Sequence, residues 1–185
     1  MQRIRFNGLK EKIFWLVIPV ISLIALVVLD QLTKYWFTNL YNKNGNTEFI
    51  SGVLSFTYTV NTGSAFSFLS DKAWAQTFFK IITVISLIVF VFVYLYSISK
   101  RYKTLAAGVV LLTSGTIGNF IDRLVCNGVC DFIKLEFISF PIFNFADILL
   151  TLGVIVFVVH FLFIDENALI PLKKNKIKEE EQAKW

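Results

Sequence analysis

Two aspartates, Asp131 and Asp147, are the residues of this 185-residue chain whose type and surroundings best suit proton transfer. Asp147 stands between Ala146 and Ile148 with no cation near it in sequence. The cation nearest Asp131 is Lys134, at an odd offset in an extended segment, so it should point to the other face. Two carboxyls brought together cannot both ionise, and one keeps a proton near neutrality while the other is charged. One group can then activate water while the other protonates a carbonyl oxygen or a leaving amine. The stretch 132–146 is long enough to go out and return, with Pro141 ending its strand-like portion. Two unrelated acids at a membrane boundary would show the same spacing, so the residues alone leave both readings open. Nor do they say which of the pair is the base, because a coupled pair titrates as a unit.

Other acids read as electrostatic or structural groups. Asp30 and Lys34 stand four apart, on one helix face, as an ion pair. Asp122 is followed by Arg123 and preceded one turn earlier by Asn119, and a neighbouring cation favours the ionised carboxylate. Glu48, Asp71 and Glu136 lie in polar or alternating surroundings and mark where water begins.

What must hold these residues is a membrane. Hydrophobic residues make up 56% of the chain and charged ones 17%, an apolar excess over ordinary soluble domains. The apolar residues fall into four uncharged runs, Ile13 to Leu29, Ile81 to Ile98, Leu105 to Ile121 and Ile148 to Ile164. At about 1.5 Å rise per residue each run just spans a hydrocarbon core of about 30 Å. A soluble two-domain enzyme is excluded. So is nucleic-acid binding inferred from the net charge of +5, because the cations flank the spans. Arg3, Arg5, Lys10 and Lys12 precede the first run; Lys100, Arg101 and Lys103 separate the second and third; Lys173, Lys174, Lys176, Lys178 and Lys184 follow the fourth. These all fall on one side, which the positive-inside rule assigns to the cytoplasm, with both termini. The outer connections, roughly Gln31 to Lys80 and Asp122 to Asp147, then carry the acids. From Leu54 to Asn61 apolar and polar residues alternate strictly, as they do from Ile133 to Phe137, and each stretch reads as a half-buried strand at the outer interface. The expected fold class is therefore all-α, a four-transmembrane-helix bundle with a small extracytoplasmic β element. Residues 1–164 form its single domain and 165–185 a polar cytoplasmic tail.

The remaining features read plainly. The first run resembles a secretory signal but lacks a small-x-small cleavage site and is followed by three more spans, so it should be retained. Cys126 and Cys130 read as packing residues whose close spacing gives a bridge little loop entropy. With His160 as the single histidine, deep in the last span, no metal site is expected. Gly115 and Gly118 should admit close helix packing, and Trp15, Trp36 and Trp74 read as an aromatic belt at the membrane boundaries. A proton-coupled carrier would need its acids near the midplane, whereas these lie at one end. A non-enzymatic assembly or lipid-binding protein would explain bundle and belt but not the two aspartates.

Five motifs occur in a familiar order: DQLTK (Asp30 to Lys34), NTGSAF (Asn61 to Phe66), GTIGNFIDR (Gly115 to Arg123), VCDFI (Val129 to Ile133) and FNFAD (Phe143 to Asp147). In this the chain resembles the lipoprotein signal peptidases, or signal peptidase II, from about the first span to the end of the fourth. Ser64, where the family usually has Ala, Thr116, and Cys130 before the aspartate depart from its pattern without removing an acid. The resemblance implies an aspartic endopeptidase of the bacterial cytoplasmic membrane. Such an enzyme removes signal peptides from prolipoproteins by cutting before a diacylglyceryl-modified cysteine, with its site at the outer interface. It implies Asp131 and Asp147 as the catalytic pair, and Asp30, Lys34, Asn61, Asn119, Asp122, Arg123 and Asn144 as residues that line or support the site. It also implies no cofactor, with lipidated prolipoprotein signal peptides and membrane lipids as partners of a monomer.

Overall fold

The computed structural model describes residue 6 and residues 8–41, 45–63 and 74–165. Asp71, the second half of NTGSAF (Ser64 to Phe66), the tail lysines, and Arg3 and Arg5 lie outside the described residues. Four helices are long and apolar enough to cross a membrane: α1 (Leu9–Tyr41), α2 (Ala75–Lys100), α3 (Lys103–Val125) and α4 (Phe145–Ile164). Strands β1 (Thr47–Ile50), β2 (Leu54–Asn61) and β3 (Val129–Leu135) form an antiparallel sheet in the order β1-β2-β3. The fold class is the expected one, a helical membrane bundle with a small sheet.

Helix α3 is the hub. Half of its most apolar stretch is buried, against 11–17% for the other three helices, and it packs against each of them. Small residues explain this. A Cβ on Gly115 would lie 2.5 Å from the Ala146 carbonyl oxygen, so only glycine lets α3 and the start of α4 meet there. The outward surfaces of α1, α2 and α4 carry exposed Ile, Leu, Val and Phe, as a hydrocarbon solvent requires. Helices α2 and α4 hardly touch each other.

Several expectations need correction. The first helix does not end near Asp30 but continues to Tyr41, so Asp30 and Lys34 lie inside a helix and are buried. The extension is held by Phe37, whose ring stacks on Phe132 at 4.2 Å and meets Phe56 at 4.7 Å, joining α1 to the sheet. Trp15 is no belt residue. It is 2% exposed, packed with Ile98 and Ala106, and its carbonyl accepts the Tyr94 hydroxyl at 2.6 Å. Trp36 and Trp74 are exposed, as a belt would have them. Strand β2 has the expected limits, but β3 begins four residues earlier than its alternation suggested, and its first four residues are all buried. The alternation of β2 does not sort its burial either, since Ser55 is fully buried and Val60 is exposed. The polar side chain is accommodated because Ser55 Oγ donates to Glu136 Oε1 at 2.5 Å.

Candidate active site

The last span begins where it does because of a reciprocal cap. Asn144 is its N-cap: the Asn144 side chain accepts the Asp147 N–H at 3.1 Å, and Asp147 Oδ2 accepts the Asn144 N–H at 3.0 Å. Asp147 is thus fixed in the first helical turn. Its other oxygen accepts Asn119 Nδ2 at 2.9 Å. On the strand side, the register sets Thr59 opposite Asp131 and Asn61 opposite Val129. Asn61 Nδ2 donates to Asp131 Oδ2 at 3.2 Å, and Asn144 Nδ2 donates to Asp131 Oδ1 at 2.6 Å. Asn144 therefore bonds both aspartates at once, capping one and donating to the other.

The two carboxyls line one cavity of about 670 Å³, within the usual range for a ligand site. Its walls are Thr83 and Ser86 of α2, Thr116, Asn119 and Arg123 of α3, Thr151 of α4 and the segment Phe140–Phe143, with Asn61 at the sheet. It lies between α2 and α4, the two helices that fail to close on each other. Asp131 is 2% exposed. Burial pushes its carboxyl up to about 7, the charge of Asp147 adds to this, and the amide bonds from Asn144 and Asn61 oppose it. A buried acid beside a second acid, poised near neutrality in a cavity, has the properties of a proton-transfer group.

Behind the cavity lies a buried polar cluster. Lys34 Nζ donates to Asp30 Oδ2 at 2.9 Å, Asp122 Oδ2 at 2.9 Å and Asn119 Oδ1 at 3.0 Å, so all three of its hydrogens are used. Asn119 Oδ1 also accepts from Asn144 Nδ2 at 3.1 Å, which orients the Asn119 amide with its NH₂ toward Asp147. Asp30 Oδ1 accepts the Ala146 N–H at 2.9 Å, and Asp122 Oδ2 accepts the Cys130 N–H at 3.0 Å. A Cβ on Gly118 would lie 2.4 Å from Asp30 Oδ2, so this cluster also needs a glycine.

All nine residues singled out from the sequence belong to this cavity or to the cluster behind it. The ion pair of Asp30 and Lys34 forms as expected. Asp122 and Arg123 interact through their charges but point about 100° apart, as consecutive helical residues do. Asp122 turns inward to Lys34, while Arg123 turns to the cavity, donates to the Asn119 carbonyl at 3.3 Å and lies 5.3 Å from the Phe79 ring centroid. Its Nε is buried and has no hydrogen-bond partner among the described residues. Lys134 pairs with Glu136 at 3.0 Å, away from Asp131. Sequence reasoning missed Gln31, whose amide joins Asp30 and Asp122, and the hydroxyls of Thr83, Ser86, Thr116 and Thr151 along the cavity. An Asn three residues before an Asp at the head of an apolar run was a readable capping signal. Cys126 and Cys130 are free thiols, and burial pushes the Cys130 thiol up to about 11. Among the described residues no three His, Cys, Asp or Glu side chains converge as a metal-ligand set.

Comparison with known proteins bears on this arrangement. A family model described as signal peptidase II matches residues 22–163. The lipoprotein signal peptidase of Streptococcus pyogenes serotype M5 (strain Manfredo) is 44% identical over 153 residues, covering 82% of this chain and 93% of the relative. That of serotype M3 (strain ATCC BAA-595 / MGAS315) is 43% identical over the same length. Among solved structures, a bacterial membrane enzyme determined by the in meso method at 2.3 Å resolution superposes with a TM-score of 0.70 at 35% identity, over 80% of this chain and 88% of that one. A second, at 1.9 Å resolution, superposes with a TM-score of 0.68 at 35% identity, over 80% of this chain and 94% of the other.

Proposed function

The chain belongs to the signal peptidase II family and is a membrane peptidase, and from that premise we propose that Asp131 and Asp147 are its catalytic pair, cleaving prolipoproteins just before a diacylglyceryl-modified cysteine. The observation that carries the reading is the bridge through Asn144. One side chain holds both carboxyls at the wall of one cavity, and burial leaves Asp131 able to carry a proton near neutral pH.

The pair shares one proton. The ionised carboxylate takes a proton from water as the water oxygen attacks the scissile carbonyl, and the protonated carboxyl hydrogen-bonds the carbonyl oxygen as negative charge grows there. Collapse of the tetrahedral species breaks the C–N bond and passes a proton to the leaving amine. The released carboxyl belongs to the signal peptide, and the new amine to the lipidated cysteine. Asn61, Asn119 and Asn144 hold the aspartates in orientation, and the Arg123 guanidinium at the cavity wall offers N–H donors to a substrate carbonyl.

Entry is sideways from the bilayer, between α2 and α4. An apolar signal helix and two acyl chains partition into lipid on their own, so the enzyme has only to admit a segment already at the right depth. The glutamate and arginine joined between α1 and α2, Glu11 and Arg101, lie at the opposite end from Asp131, as do Lys100 and Lys103. Assigning that basic end to the cytoplasm places the cavity at the outer interface, and the reading requires only a monomer.

The test uses the purified protein in liposomes with a lipidated prolipoprotein and the same prolipoprotein before lipidation. Asp131→Asn and Asp147→Asn should each abolish shortening of the lipidated substrate while leaving the protein in the membrane, and the unlipidated form should remain uncut by wild type. Wild-type rates in either variant would refute the catalytic pair.

A further inference from the structure

Gln31 is half-buried on α1, one residue past Asp30. Its Nε2 lies 3.1 Å from Asp30 Oδ2, 3.1 Å from Asp122 Oδ1 and 3.1 Å from the Gly118 carbonyl oxygen. Two N–H groups are thus shared among three acceptors carried by two helices.

The importance of these bonds lies in what the same acids hold with their other lone pairs. Asp30 grips the backbone N–H of Ala146, the residue before Asp147. Asp122 grips the backbone N–H of Cys130, the residue before Asp131. Each acid behind the cavity therefore anchors the chain one position upstream of one cavity aspartate. Lys34 binds both acids through their Oδ2 atoms, and Gln31 binds both again, taking the free oxygen of Asp122. A carboxylate held at one oxygen can still turn about its Cβ–Cγ bond. Held at both, it cannot, and the backbone N–H it carries is fixed with it.

We propose that Gln31 is a positioning residue of the peptidase reaction: by cross-bonding Asp30 and Asp122 it sets the spacing between the backbone segments that present Asp147 and Asp131. The inference rests on the reading of those two aspartates as the reacting pair. Lys34 supplies charge to the two acids, and Gln31 supplies direction. Removing direction leaves substrate binding in the cavity intact and slows the step that needs both carboxyls aligned, because small displacements of reacting groups cost rate steeply.

Two variants of nearly the same shape separate this from a merely structural role. Gln31→Met keeps length and removes the donors. Gln31→Glu keeps shape and replaces the donors with acceptors. The charged or titratable groups facing position 31 are Asp30 and Lys34 on its own helix and Asp122 on α3; Tyr58 on β2, Cys130 and Asp131 on β3 and Asp147 on α4 lie on the elements packed against it. In liposomes with the lipidated substrate, Gln31→Met should lower kcat about tenfold with KM within about twofold of wild type, the size expected for lost hydrogen bonds to charged groups. Gln31→Glu should lose about a hundredfold at neutral pH, and its rate relative to wild type should recover as pH falls, when the introduced carboxyl takes a proton and becomes a donor. If Gln31→Met does not accumulate in membranes, Gln31→Asn, one methylene short of Asp122, should show the same drop in kcat at unchanged KM. Asp131→Asn and Asp147→Asn run alongside. Inactive aspartate variants together with wild-type kcat in Gln31→Met, or loss of thermal stability with kcat untouched, overturn the role of Gln31 alone. Activity in an aspartate variant overturns the catalytic pair and this inference with it.

Discussion

Replacing Lys34 by Met should be among the most damaging single changes in the protein. Lys34 is 3% exposed and gives all three hydrogens to buried acceptors, two of them carboxylates on residues that are themselves 0% and 5% exposed. Methionine matches the stem and removes the charge. Orphaning one member of a buried ion pair costs about 3–5 kcal/mol, and here two acids lose the same cation, so the upper half of that range applies. Against a total stability of about 5–15 kcal/mol, that is about a quarter or more of the whole. At about 2–4 °C per kcal/mol for a chain of this size, the midpoint should fall by about 8–20 °C. Thermal melts of detergent-solubilised protein, followed by intrinsic fluorescence of its 4 tryptophans, would measure this. The double variant Lys34→Met with Asp122→Asn removes one of the two stranded charges, so it should melt above the single variant. A single variant within about 2 °C of wild type, or a double variant that melts lower than the single, would refute the view that one ammonium neutralises both acids.

Three further outcomes follow from the same geometry. Because burial, and then the charge of Asp147, push the Asp131 carboxyl from 3.8 up to about 7, kcat should decline as pH rises through about 7 and the shared proton is lost; Asn61→Ala removes a bond that opposes the shift and should move that decline to higher pH. In stability the same group works in one direction: the folded state holds a proton that the unfolded chain releases, so its contribution is complete below 3.8 and lost as pH rises through about 7. The melting temperature of Asp131→Asn should therefore change less between pH 6 and pH 8 than that of wild type, by the equivalent of roughly one pKa unit, on the order of 1 kcal/mol. Gly118→Ala brings a methyl within 2.4 Å of Asp30 Oδ2, an atom already bonded to Lys34 and Gln31, and should cost about 1–3 kcal/mol in the same melts.

The sequence displayed what solvent preference alone decides. Four apolar runs became four helices, and the stretch from Leu54 to Asn61 became β2 residue for residue, although burial there does not follow the alternation. It hid what tertiary contact decides. The helix beyond Asp30 reads as a polar connection, because a stretch with Gln31, Lys34 and Asn39 lacks the continuous apolar run of a span. Phe37, Tyr41 and the sheet turn it into structure. Strand β1 is exposed along its whole length, so no buried face stamped a period on it. Trp15 looked interfacial because depth was judged from the run alone, while Ile98 and Ala106 come from other helices. At the site, residue types were legible and partners were not: Asp122 chose Lys34, 88 positions away, over its neighbour Arg123. A one-dimensional reading weighs neighbours in sequence, and the helical twist sends such neighbours to different sides.

The two aspartates sit on different elements, so two identical side chains meet different hydrogen-bond donors. Asp147 sits in the first turn of α4, where a helix start offers backbone N–H groups that lack intrahelical partners. It takes the N–H of Asn144 and an amide N–H of Asn119. Asp131 sits in β3, where the sheet already consumes the backbone donors, so only the amide groups of Asn61 and Asn144 remain to it. Their bonds oppose the rise that burial causes without cancelling it, so the Asp131 carboxyl stays raised to about 7. A strand and a helix start thus give the two acids different sets of donors, and Asn144 links them because it is both the cap of the helix and a donor to the strand.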